Sequence, residues 1–106
     1  MRHWTPTELR NTLESSETPP LLLDVREPWE YEICNIVGSR LLPMGRIPTA
    51  CNELDPDQTT VVICHHGIRS YQVAYYLEHA GFKDVINLTG GIEAWAREVD
   101  RDMATY

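Results

Sequence analysis

The stretch TTVVICHHGIRSYQVAYYLEHAG, residues 59–81, decides the fold. It opens on β-branched residues, Thr59 to Ile63, with no polar alternation, which is the pattern of a strand covered on both faces. From Ser70 the pattern changes. Val73, Leu77 and Ala80 fall near helical spacing, and Gly81 supplies a stop. The two patterns are joined by six residues, CHHGIR, so a strand runs through a tight loop into a helix.

The same alternation repeats outward. LLLDV at 21–25 is a second continuous apolar run, ended by charge and Pro28, and DVINL at 84–88 reads as a last strand. SRLLP after Gly38 is a further strand candidate. Helical signals lie between them. TPTE at 5–8 offers Thr5 as N-cap, Pro6 at the first helical position and Glu8 at the third, with Leu9 and Leu13 on one face. EPWEYEI, IPTACNEL and IEAWAREV read as short helices, the last entered through the Gly90–Gly91 turn. Short apolar runs alternating with helices predict an α/β fold: a central, mainly parallel sheet with helices on both faces. No repeat or linker divides it, so residues 1–106 are expected to form one domain. Ligands in such folds bind beyond the carboxyl ends of the strands. Cys64 and the pair Asp24 and Arg26 fall there.

Composition narrows the function. A net charge of −7 leaves no basic stripe for nucleic acid. It also means that a small anion must be held by local groups rather than drawn in from a distance. No apolar run approaches the roughly 20 residues of a membrane span, and MRHWTPTELR lacks a secretory apolar stretch, so a cytoplasmic protein is expected. Three cysteines, Cys34, Cys51 and Cys64, form no CxxC pair, which speaks for a reduced interior with one thiol in service.

The loop CHHGIR suits a nucleophile. Gly67 permits positive φ or close approach, and the helix following the loop presents unpaired N–H groups with the positive end of its dipole behind them. Such a ring of amides is an anion cradle. The dipole alone contributes only about 0.3–1 kcal/mol, under one pKa unit. Several N–H bonds with Arg69 could bring a thiol from about 8.5 to well below neutrality, into its nucleophilic form. Three other readings stand beside this one. Cys64 could be a small buried hydrophobe, as Cys34 and Cys51 are taken to be. Cys64, His65 and His66 could bind a metal, but adjacent loop residues diverge and no second ligand pair exists, so no metal is expected. His65 and His66 instead read as pocket-mouth residues that add partial positive charge. A cysteine phosphatase also cradles an oxyanion between cysteine and arginine, but with five intervening residues where this chain has four.

LLLDVREPWEYE, VVICHHGIRS with its C-x-x-G-x-R loop, IVGSRLLPMG and GFKDVINLTGGIEAW together resemble a single-domain rhodanese, a sulfurtransferase, over nearly the whole chain. The segment CNIVGS departs from the family's usual G-H-I-P-G-A, which puts the local turn, more than the chemistry, at issue. The resemblance implies a three-layer rhodanese-like domain that needs no cofactor. It implies two sulfur transfers. Cys64 takes the sulfane sulfur of a small anionic donor such as thiosulfate, and a thiol or cyanide then removes it from the Cys64 persulfide. His65, His66, Gly67, Ile68 and Ser70 would line the sulfur site. Arg69 would hold the loop and favour negative charge at the sulfur, or else form a purely structural ion pair. Asp24 and Arg26 are read as supporting partners. Trp29, Tyr31 and Trp95 are read as packing residues. A carrier relaying persulfide sulfur between proteins is the alternative, and a monomer is expected.

Overall fold

A computed structural model describes all 106 residues. Five strands form one sheet: β1 (Arg2–Trp4), β2 (Leu21–Asp24), β3 (Arg40–Leu41), β4 (Thr60–Ile63) and β5 (Val85–Leu88). Their order is β1-β5-β4-β2-β3, and every neighbouring pair is parallel. The helices are α1 (Pro6–Ser15), α2 (Pro28–Ile33), α3 (Ile47–Ala50), α4 (Ile68–His79) and α5 (Gly91–Glu98). Short 3-10 turns at Met44–Arg46 and Cys51–Glu53 flank α3.

Strand side chains alternate between two apolar layers, because successive Cβ atoms leave a strand on opposite faces. Leu22, Val61, Ile63, Ile86 and Leu88 pack with Leu9 of α1 and with Ile92 and Trp95 of α5. Leu23, Val62 and Val85 pack with Ile47 and Ala50 of α3 and with Val73, Ala74 and Leu77 of α4. The three layers expected from the sequence are therefore present, with a wholly parallel sheet. No helix is long and apolar enough to cross a membrane.

Local chemistry explains the boundaries. The Thr5 hydroxyl accepts from the Glu8 N–H and the Glu8 carboxylate accepts from the Thr5 N–H, both at 3.2 Å, which starts α1 where the capping box predicts. Two boundaries differ from expectation. Strand β1 has no strand signal of its own, since three residues carry too little pattern; its pairing with Ile86–Leu88 makes it a strand. Helix α4 begins at Ile68, two residues before the helical apolar pattern does, because its first turn lies over the loop rather than the core. The CNIVGS segment makes a turn at Gly38 (φ 87°), where the Tyr31 hydroxyl donates to the Ser39 carbonyl at 2.9 Å.

Candidate active site

The site begins with where β4 stops. Cys64 follows Ile63 directly, beyond the carboxyl end of the central strand, and is 1% exposed. The chain then turns back through His65, His66 and Gly67 into α4. Gly67 has φ 101°, and an added Cβ would press to 3.2 Å of the Gly90 nitrogen, so the turn requires glycine on both counts.

The loop is fixed from below by α5. Ile92 and Glu93 donate their N–H groups to the carbonyls of Cys64 and His65 at 2.8 and 3.1 Å. This close approach is why Gly91 has no side chain: a Cβ there would overlap both carbonyl oxygens. These two carbonyls are thereby held toward α5. Gly67 N–H donates to Cys64 Sγ at 3.0 Å. The N–H groups of His65, His66, Ile68, Arg69 and Ser70 have no acceptor within the chain. The thiol itself donates to Ser70 Oγ at 3.3 Å, and the Ser70 hydroxyl donates to Asn87 Oδ1. Of the amide ring expected from the sequence, one member, Gly67 N–H, meets Sγ, and the other five make no bond to it.

Arg69 is paired with a carboxylate. Its two terminal nitrogens donate to the two Glu30 oxygens, each at 2.8 Å, in a bidentate fork. Glu30 is 4% exposed and also accepts from Tyr106 Oη at 2.9 Å and from Glu27 N–H at 2.8 Å. The Arg69 hydrogen bonds, with these two others, hold its carboxyl at about 2 in spite of burial. The Glu30 bonds raise the Arg69 guanidinium above its ordinary value, and the nearby Cys64 adds to the effect. Arg69 is thus an ion-pair partner that ties the loop to α2.

Asp24 and Arg26 form a second, fully buried pair. Arg26 donates to Asp24 Oδ1 at 2.9 Å and Oδ2 at 2.7 Å, and to the Cys34 carbonyl at 2.7 Å. It also donates to Tyr106 Oη at 3.0 Å. Burial opposes the Arg26 charge, but the bonds to Asp24 and Tyr106 raise its pKa above the ordinary value. The pair reaches the sulfur loop at second hand, through Glu30 and Arg69: Arg26 donates to the Glu30 carbonyl at 3.3 Å and shares Tyr106 Oη with the Glu30 carboxylate.

The histidines stack in a column, His66 on His65 at 3.9 Å and His65 on Tyr106 at 4.0 Å. Burial and the neighbouring His66 lower the His65 pKa, so His65 contributes less positive charge than its composition suggested. His66 Nε2 pairs with Glu93 at 2.9 Å. Beside this column lies a cavity of about 240 Å³ lined by Cys34, His65, Glu93, Arg97 and Tyr106 among others. Trp29 is 59% exposed and stands edge-on to Tyr106, so it does not pack in the core, whereas Trp95 does. No group of three or more His, Cys, Asp or Glu residues is placed to hold a metal.

Sequence reasoning missed Glu30, Tyr106 and Asn87. Glu30 stood in an acidic helix with nothing to pick it out, and Tyr106 had no motif around it. Asn87 carried one signal: it is the single polar residue inside an otherwise apolar strand run.

A parallel sheet whose central strand delivers a cysteine into a loop of open amides defines a class, the α/β domains with a strand-end nucleophile loop. Within it, residues 5–98 match the family model described as Rhodanese-like domain, and the chain belongs to that family. It is 39% identical over 104 residues to the probable adenylyltransferase/sulfurtransferase MoeZ of Mycobacterium tuberculosis, covering 96% of this chain and 26% of that protein. It is 44% identical over 77 residues to a sulfurtransferase of Allochromatium vinosum, covering 73% of this chain and 72% of that one. The crystal structure of a rhodanese-like domain protein from Staphylococcus aureus superposes with a TM-score of 0.85 at 35% identity, covering 93% and 95% of the two chains. The chain spans about a quarter of the length of the MoeZ relative it matches.

Proposed function

We propose that the chain is a sulfurtransferase in which Cys64 carries the sulfur. One observation supports this reading above the rest: Cys64 Sγ accepts from the Gly67 amide at 3.0 Å, in a loop whose five other amides carry no bond within the chain. Such a cradle favours an anionic sulfur one atom beyond Sγ. The sulfurtransferase names of the relatives agree with it.

The donor fitting this site is a small sulfane anion such as thiosulfate. The Cys64 thiolate attacks the outer sulfur and forms a new S–S bond. The bond from that sulfur to the sulfonate breaks, and sulfite leaves with the electron pair. The terminal sulfur of the resulting persulfide anion takes up the open amides. An acceptor, cyanide or a thiolate, attacks that terminal sulfur, and the Cys64 thiolate is released. Each half is one displacement, as covalent catalysis of ping-pong type requires. His65, His66, Gly67, Ile68 and Ser70 supply the cradle. Arg69 acts through its pair with Glu30, holding the loop open, and Asp24 with Arg26 holds α2 in place. A phosphatase role is disfavoured, because the loop holds four residues between Cys64 and Arg69 where a phosphatase loop holds five, and Arg69 directs its fork at Glu30.

Reduced protein mixed with thiosulfate is expected to gain the mass of one sulfur atom at Cys64 and to release thiocyanate with cyanide. Cys64→Ser removes both. Intact protein that gains no sulfur and yields no thiocyanate would overturn the proposal. A second reading, a relay of persulfide sulfur between proteins, is favoured by exposed Ile68 in the loop, followed on the next turns of α4 by exposed Tyr71 and Tyr75. Slow loading from thiosulfate beside fast loading from a protein persulfide would select it.

A further inference from the structure

Asn87 is a buried polar residue in the apolar strand β5, 5% exposed, and none of the steps above uses it. A buried amide left without partners is costly, so its hydrogen bonds define its role. The Nδ2 group faces the Gly67 carbonyl at 3.4 Å and His3 Nδ1 at 3.5 Å. An amide nitrogen belongs opposite a carbonyl, and this fixes the other end: Oδ1 faces Ser70. Only a donor satisfies Oδ1, so the single proton of the Ser70 hydroxyl points at Asn87. Ser70 is wholly buried and has no second proton to give. Its oxygen can therefore only accept from the sulfur, and Cys64 Sγ donates to it at 3.3 Å. The sulfur accepts one proton, from Gly67 N–H, and donates one. That is the hydrogen bonding of a neutral thiol.

We propose that Asn87 is a positioning residue that sets the protonation of Cys64 through Ser70. While Asn87 Oδ1 holds the Ser70 proton, the Ser70 oxygen favours S–H over the thiolate. When the thiol ionises, or when its sulfur becomes the inner, proton-free atom of a persulfide, Ser70 must swing its proton away from Asn87 to serve the sulfur. Asn87 thus restrains the reactivity of the empty site. This deepens the proposed function and rests on Cys64 as its reacting group.

The titratable groups beside this chain of bonds are His3 of β1, which faces Asn87, and Arg69, which is paired with Glu30. The variants leave all of them in place. The readout is the rate of alkylation of Cys64 by iodoacetamide against pH, followed at the Cys64 peptide by mass spectrometry so that Cys34 and Cys51 do not intrude. Asn87→Leu frees the Ser70 proton for the sulfur. The pH of half-maximal alkylation is expected to fall by about one unit, the scale of one hydrogen bond to a charged atom. In a Ser70→Ala background the same substitution is expected to shift nothing, because its effect travels only through that hydroxyl. Asn87→Asp keeps an acceptor for Ser70 and adds a negative charge. It is expected to move the midpoint upward, and Asn87→Ala repeats the Asn87→Leu comparison in both backgrounds if the leucine variant does not fold. A downward shift that is equal with and without the Ser70 hydroxyl, or no downward shift in the uncharged variants, would overturn the proposal. Alkylation needs no sulfur donor, so failure of the sulfur-transfer reading would appear separately, as a cysteine that couples to Asn87 but never loads.

Discussion

Glu30 shows how much one side chain can hold. It takes both arms of Arg69, the Tyr106 hydroxyl and the Glu27 amide, and so joins the sulfur loop, α2 and the Arg26 pair. Its carboxyl is held at about 2 against an ordinary 4.5, so the folded protein binds its proton more weakly than the unfolded chain. The resulting stability is present above about pH 4.5 and is lost as pH falls toward 2. Arg69 is a third exposed and shares the pair with solvent, which limits the contribution to about 1–2 kcal/mol. Glu30→Gln is expected to lose that much in urea denaturation at pH 7, and the gap from the parent protein is expected to narrow from about pH 4.5 downward and to close near pH 2. A gap that stays constant down to that pH would mean that the Glu30 charge does not hold the loop. The sequence offered an ion pair as one role for Arg69 but could not name its partner, since Glu30 lies 39 residues from Arg69 and 76 from Tyr106. Local pattern reports neighbours along the chain and is silent about partners at that distance.

At the scale of elements, the reading of Thr59–Gly81 carried over because each signal was local and mutually consistent. β-branched residues sit in the buried strand β4, Gly67 turns the loop, and Val73 and Leu77 face the core. The clamp between α5 and the loop was only half legible: Gly90–Gly91 read as a turn near the site, but not as the surface on which the loop carbonyls rest. The Gly91 substitution tests that clamp. Gly91→Ala combines a positive φ of 62° with overlap of the Cys64 and His65 carbonyls. Gly81→Ala meets nothing within 4 Å at φ 99°. The second carries only backbone strain, about 1–2 kcal/mol. The first adds the displacement of packed backbone, about 1–3 kcal/mol more. Gly91→Ala is also expected to impair sulfur loading, whereas Gly81→Ala leaves it intact. Equal losses in the two variants, with loading preserved in both, would show that α5 does not set the loop.

For the whole molecule, an excess of seven negative charges meets a reaction whose proposed donor is a dianion. The local groups cannot reverse that field at a distance. Arg69 and Arg26 are each matched by a carboxylate, and the loop amides act only at hydrogen-bond range. The reach of the surface charge depends on salt. The screening length is about 30 Å at 0.01 M and about 8 Å at 0.15 M, while the radius of gyration is 12.6 Å. At low salt an approaching anion therefore feels the charge of the entire chain, and at 0.15 M it feels little beyond the rim of the site. Sulfur loading of Cys64 from thiosulfate is expected to speed up by about two- to tenfold over that range, the sign for like charges. Alkylation of the same cysteine by uncharged iodoacetamide is expected to change little, which separates steering from any effect of salt on the loop. Loading that slows as salt rises would place net positive potential at the cradle and overturn the argument from surface charge.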